Sequence, residues 1–130
     1  MCLTKNAKND ESRYVSSSWI AAECTFWLAP NLCELQWYEN SSGNGGLIPL
    51  ENVTSVEKIS PNSPNYKLMH SNRVIDSSKV FILSVVSPDD VTLALHLAAP
   101  TETIRDEWWG GLLYCRSVAS FAAVKRKYKN

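Results

Sequence analysis

One stretch constrains this chain more than any other: residues 98–123, AAPTETIRDEWWGGLLYCRSVASFAA. Ile104, Trp108, Leu112, Cys115, Ala119 and Ala122 recur there in steps of four, four, three, four and three, which is one stripe of an α-helix. The chain ahead of it reads as short strands and turns. A single amphipathic helix at the end of an all-strand sequence must bury its stripe against the sheet or sheets those strands form. Trp108, the bulkiest apolar residue on the stripe, is the natural plug. Thr101 is the expected cap, and Gly110-Gly111 in mid-helix predicts a close approach of backbone to sheet.

The strands are read from alternation. Residues 1–7 form a first edge strand, and residues 8–18 a polar loop. In residues 19–28, Ala22, Cys24, Phe26 and Leu28 alternate with Glu23, Thr25 and Trp27, the period of a half-buried strand. Pro30-Asn31 turns the chain, and residues 34–39 return with Leu35 and Trp37 inward. Residues 40–46, NSSGNGG, form a glycine-rich turn. Residues 47–59 are a strand pair or one bent strand, with Pro49 marking an edge or bulge. Residues 60–78 carry no periodicity and are assigned to a long loop. Residues 80–86 and 91–98 flank Ser87-Pro88-Asp89-Asp90 as a hairpin. In the second arm Leu93, Leu95 and Leu97 face in, while His96 faces out as a plain surface histidine.

Thirteen basic residues balance thirteen acidic ones in 130 residues, so no overall field draws in nucleic acid, and the length supports one core. The division expected is residues 1–124 as one domain and 125–130 as a basic tail. No apolar run reaches the roughly 20 residues of a membrane span, and residues 1–13 lack the apolar core of a secretory signal. Cys2, Cys24, Cys33 and Cys115 are neither dense enough for a disulfide scaffold nor spaced for zinc, and read as reduced thiols of a cytoplasmic protein. His70 and His96 lie at no metal-ligand spacing, and neither a nucleophile elbow nor a phosphate-cradling glycine loop occurs. The reading is therefore non-enzymatic: no catalytic residue, metal, cofactor or small-molecule substrate.

Phe26-Trp27-Leu28, then Leu35-Gln36-Trp37, then Ile48-Pro49-Leu50 with Val53 and Val56, and finally Trp108 four residues before Leu112, stand in an order that resembles the pleckstrin-homology family over nearly the whole chain. Leu28 to Asn31 and the Trp-x-x-Gly-Leu of Trp108 to Leu112 are similar to its branch in engulfment-and-motility scaffold proteins and phospholipases C. The resemblance implies a mainly β fold: a seven-stranded, bent antiparallel sheet or partly open barrel, capped at one end by the C-terminal helix. Phe26, Leu28, Leu35, Trp37, Trp108 and Leu112 would be its structural residues.

The resemblance also implies a monomeric adaptor, part of a signalling or scaffold protein, that associates peripherally with membranes. Binding of anionic phospholipid or phosphoinositide head groups needs cations converging on the open end of the barrel, since phosphate demands charge-assisted donors. Lys5, Lys8 and Arg13 are the candidates, joined by Lys67 and Arg73 from the long loop. Where family binders place basic residues just before the aromatic-x-Leu, this chain has Ile20, Ala21, Ala22 and Glu23, so the alternative for those cations is a solvated loop. The tail Lys125 to Lys129 reads either as a further anionic-surface contact or as a solubilising helix end. A rival role is protein–protein interaction through Trp27, Tyr38 and Phe121; Trp27 either stands exposed or packs on Tyr66 or Leu68. Phosphotyrosine-binding and proline-peptide-binding domains share the topology and remain alternatives.

Overall fold

The computed structural model describes residues 1–5, 19–60, 62–69 and 72–127, the side chains of Lys5 and of residues 120–127 excepted. The elements in order are β1 (Cys2–Lys5), β2 (Trp19–Ala22), β3 (Cys24–Leu28), β4 (Glu34–Glu39), β5 (Gly45–Pro49), β6 (Val53–Lys58), β7 (Tyr66–Lys67), β8 (Val74–Ile75), β9 (Val80–Val86), β10 (Thr92–Ala98) and α1 (Glu102–Lys127). Three open antiparallel sheets result: β2-β1-β10-β9-β6, β3-β4-β5, and the small pair β7-β8.

The alternating run predicted as one strand is broken only at Glu23, and its halves enter different sheets. β2 pairs with β1, and β3 pairs with β4. Counted as one bent strand, β2–β3 makes seven main strands. The predicted strand pair at residues 47–59 likewise divides: β5 closes the small sheet as its outer strand, where Pro49 is tolerated, and β6 joins the large one. β1 is a correction. It is not an edge, because it lies between β2 and β10.

Turns follow the expected chemistry. Asp90 takes φ 63° in the β9–β10 turn, where the Ser87 amide donates to the Val91 carbonyl at 2.9 Å. At Gly45 a Cβ would run into the Trp37 carbonyl, so only glycine lets β5 lie this close to β4. The helix is capped at Thr101, whose Oγ1 accepts from the Ile104 amide at 3.1 Å.

The main core lies between the sheets and the helix. Leu35 and Ile48 come from the small sheet, Val53, Val56, Phe81, Leu83 and Leu97 from the large one, and Leu112, Cys115 and Ala119 from α1. Phe26, Leu28, Trp37, Trp108 and Trp109 pack against it half-buried. Polar clamps fix the helix direction: the Trp109 indole donates to the Val56 carbonyl at 3.1 Å, and Arg116 donates to the Val53 and Thr54 carbonyls at 2.8 Å each.

Four expectations change. Gly110 and Gly111 face open space, since a Cβ at either meets nothing within 4 Å, so no close approach accounts for them. Leu93 is 54% exposed despite its inward parity, because the β9–β10 hairpin projects past the core. The segment 60–78 is not a plain loop: β7 and β8 lie within it and cover the outer face of the large sheet, burying Leu3, Tyr66, Ile75, Val80 and Ala98 in a second core. His96 is consequently half-buried against that cover.

Candidate functional site

β1 ends at Lys5, whose Cα partner is Trp19 at the start of β2. Trp19 forms a parallel bridge to Leu68, and the Met69 amide donates to the Trp19 carbonyl at 2.9 Å. The β7–β8 hairpin is thereby docked beside the entrance to β2, which brings exposed Lys67 to the same end of the sheet as Lys5. Lys8 and Arg13, between β1 and β2, lie outside the described residues, as does His70.

Aromatic packing holds this end. Trp19 meets Tyr66 at 4.7 Å and His96 at 4.8 Å between ring centroids, and the Tyr66 hydroxyl bonds His96 Nδ1 at 2.8 Å. Burial lowers the His96 pKa from its ordinary 6.5 and raises that of the Tyr66 phenol. His96 is therefore neutral at physiological pH and adds no charge for an anion.

Several cations are committed elsewhere. Arg105, 5% exposed, donates to the Val80 carbonyl at 3.2 Å and to Asp106 at 2.8 Å. Lys58 bonds Asp106 at 3.2 Å and lies 4.2 Å over the Trp109 ring. Its hydrogen bond from Arg105 first, and that from Lys58, hold the Asp106 carboxyl below its ordinary 3.8. Arg73 lines a cleft with Glu23, Asp76 and Lys79, and its carbonyl accepts from the Leu68 amide at 3.1 Å, on the hairpin that bridges to Trp19.

The outer face of the small sheet carries the partner candidates. Trp27 (40% exposed) and Tyr38 (41%) meet edge-on at 5.8 Å, and the Trp27 indole donates to Gln36 Oε1 at 2.7 Å. Leu47, 54% exposed, extends the patch from β5. Tyr66 and Leu68 belong to the second core, so Trp27 stands exposed and does not pack on them. Trp19, by contrast, is half-buried. Phe121 lies on α1, its side chain outside the described ones. Among the described residues no His/Cys/Asp/Glu cluster could hold a metal, and no helix is long and apolar enough to cross a membrane.

Sequence reading missed Lys58, Lys79 and the Tyr66–His96 pair. The partners of Lys58 and His96 are 30 or more residues away, beyond any local pattern. A cavity of about 260 Å³ also remains beside Trp108, lined by Cys24, Phe26, Phe81, Leu97 and Ile104 among others. Trp108 is one wall of the barrel mouth rather than a plug that fills it.

No protein-family model matches the chain, and no curated protein matches it by sequence. Solved structures do. The PH domain from TgAPH superposes with TM-score 0.55 at 14% identity, over 92% of this chain and 81% of that one. The PH domain from PfAPH gives TM-score 0.56 at 17% identity, over 92% and 82%. L. pealei PLC21 gives 0.55 at 12% identity over 88% of this chain, which spans 15% of the phospholipase. A bent β2–β3 strand, two open antiparallel sheets and one C-terminal helix across their mouth make this a pleckstrin-homology fold.

Proposed function

We propose that the chain is a non-catalytic adaptor module of the pleckstrin-homology type. It brings a signalling or scaffold protein, as a cytoplasmic monomer, to anionic membrane surfaces through Lys5, Lys8 and Arg13, with Lys67 contributing from the hairpin. The observation that supports this is the convergence of β1, β2 and β7 at one end, which brings Lys5 and Lys67 to the same end of the sheet; Lys8 and Arg13 follow Lys5 in the sequence. Binding there is weak and salt-sensitive. Ile20, Ala21 and Ala22 supply no charged donor on β2, and screening acts within about 10 Å at 0.1 M salt. Arg73, whose carbonyl accepts from the Leu68 amide at 3.1 Å, is a further candidate from the same hairpin.

Co-sedimentation with phosphatidylserine-containing vesicles tests the reading. The wild type pellets at low salt and is released at high salt, and Lys5→Ala/Lys8→Ala/Arg13→Ala stays in the supernatant. Pelleting unchanged by the triple substitution eliminates this surface. The exposed Trp27–Tyr38–Leu47 patch supports a second reading, a protein–protein contact with no specific lipid, in which Phe121 on the helix is a further candidate. Under it, Trp27→Ala abolishes partner capture while leaving thermal stability within about 0.5 kcal/mol.

A further inference from the structure

β5 is the outer strand of the small sheet, and its far edge is open. The Glu39 amide donates to the Asn44 carbonyl at 2.7 Å, and the Leu50 amide donates to the Cys33 carbonyl at 2.9 Å. Tyr38 pairs with Gly45 and Gln36 with Leu47, so the residues that bond β4 are 44, 46, 48 and 50, every second one. Gly45, Leu47 and Pro49 therefore turn their backbone groups away from β4. Among the described residues nothing bonds Gly45 or Leu47 from that side. The edge of the large sheet differs, because the Val53, Thr54 and Val56 carbonyls on β6 are taken by Arg116 and Trp109. We infer that β5 accepts a fourth strand from a partner protein, an extended segment of basic-x-apolar-x-basic pattern. This rests on the reading of the Trp27–Tyr38–Leu47 patch as a protein contact.

The pattern follows from the side chains. Leu47, 54% exposed, stands at the middle of the open edge and takes the apolar residue of the added strand. Gly45 and Pro49 flank it on the same face, and behind them on β4 stand Tyr38 and Glu34. Glu34 shares that face with Tyr38 because both alternate with buried Leu35 and inward Trp37. Gly45 sets no side chain over Tyr38. A cation beside Gly45 thus reaches the exposed Tyr38 ring, and a cation beside Pro49 reaches the Glu34 carboxylate. β4 lies two strand spacings, about 10 Å, from the added strand, a span that the long side chains of arginine and tyrosine bridge between them.

Charge supports a basic partner over any other. The charged residues between 19 and 52 are Glu23, Glu34, Glu39 and Glu51, every one a carboxylate. The small sheet therefore attracts cations and repels an anionic surface, the opposite of the end that carries Lys5 and Lys67. Main-chain bonds supply affinity in such an addition, and the alternate side chains supply selectivity. Pro49 offers only its carbonyl, so the new ladder is short and the two cations carry much of the discrimination. The pattern reads the same in both directions, so it fits a strand of either orientation.

Titration of the isotopically labelled full chain with acetyl-Thr-Arg-Thr-Val-Thr-Arg-Thr-amide, followed by NMR, tests the added strand. Expected is saturable one-to-one binding with the largest shifts at the Gly45 and Leu47 amides and the Trp27 indole. Glutamate in place of both arginines of the peptide should weaken binding about tenfold or more, and so should Glu34→Lys in the protein. Leu47→Lys, at an exposed position, serves the same purpose should that variant not fold. Only every second N–H of an added strand faces its neighbour, so N-methylating one alternate set of peptide residues should abolish binding, and N-methylating the other should leave it within about threefold. Lys5→Ala/Lys8→Ala/Arg13→Ala should bind the peptide like the wild type. Absence of saturable binding, tolerance of both N-methylated peptides, indifference to the charge of the peptide, full binding by the folded variant, or loss in the triple variant each overturns the added strand. The patch reading fails separately: it falls if Trp27→Ala leaves partner capture unchanged, whatever the peptide does.

Discussion

Gly110 and Gly111 stand mid-helix with nothing near the place a Cβ would occupy, so they carry the entropic cost of glycine without a packing reason. Gly110→Ala and Gly111→Ala should each stabilise the fold by about 0.5–1 kcal/mol, read as a higher denaturant midpoint at unchanged slope. Arg105 behaves oppositely. It satisfies the Val80 carbonyl inside the fold, so Arg105→Met leaves a buried acceptor unpaired and should cost about 1–3 kcal/mol in the same assay. His96 sets a pH dependence. Its pKa is lowered by burial, so on acidification below 6.5 the unfolded chain takes up the proton before the folded one does. Stability should therefore fall as the pH drops from 6.5 toward the lowered value, and rise again in reverse. Thermal midpoints measured between pH 7 and 5 should show that slope in the wild type and a flatter one in His96→Gln.

At the scale of elements, the segment carrying β7 and β8 is the part least readable beforehand. Prolines at 61 and 64 and scattered serines and asparagines hide a cover whose apolar residues, Tyr66, Leu68 and Ile75, show no period. Their spacing answers to the face of a sheet assembled elsewhere, not to a regular element of their own. Tyr66→Ala should remove about 3 kcal/mol, in the range for emptying an aromatic site in a core. Chemical denaturation measures it. The same substitution deletes the His96 hydrogen bond and loosens the seat of Trp19, so the end of the sheet where Lys5 and Lys67 meet loses its support. The helix was legible at both levels: Thr101 caps it, and Leu112, Cys115 and Ala119 are its buried line. Its polar clamps were not, since Arg116 and Trp109 reach carbonyls on β6 more than fifty residues earlier.

Across the whole molecule, the large sheet, the small sheet and the helix all contribute to the main core, so the fold should unfold as a unit. Far-UV circular dichroism and tryptophan fluorescence should give coincident transitions; separated midpoints would show the small sheet melting on its own. Alternation placed most of the strands, the 3.6-residue stripe placed the helix, and the order of aromatic-x-Leu, Leu-x-aromatic and helical Trp indicated the fold. These signals are local, because a side chain's inward or outward choice repeats along its own element. Which sheet each half of the bent strand enters, that β1 is interior, and that His96 is covered were decided only by tertiary structure. Each depends on the pairing of segments distant in the chain, and neither residue type nor spacing encodes which partner a strand edge or a sheet face will meet.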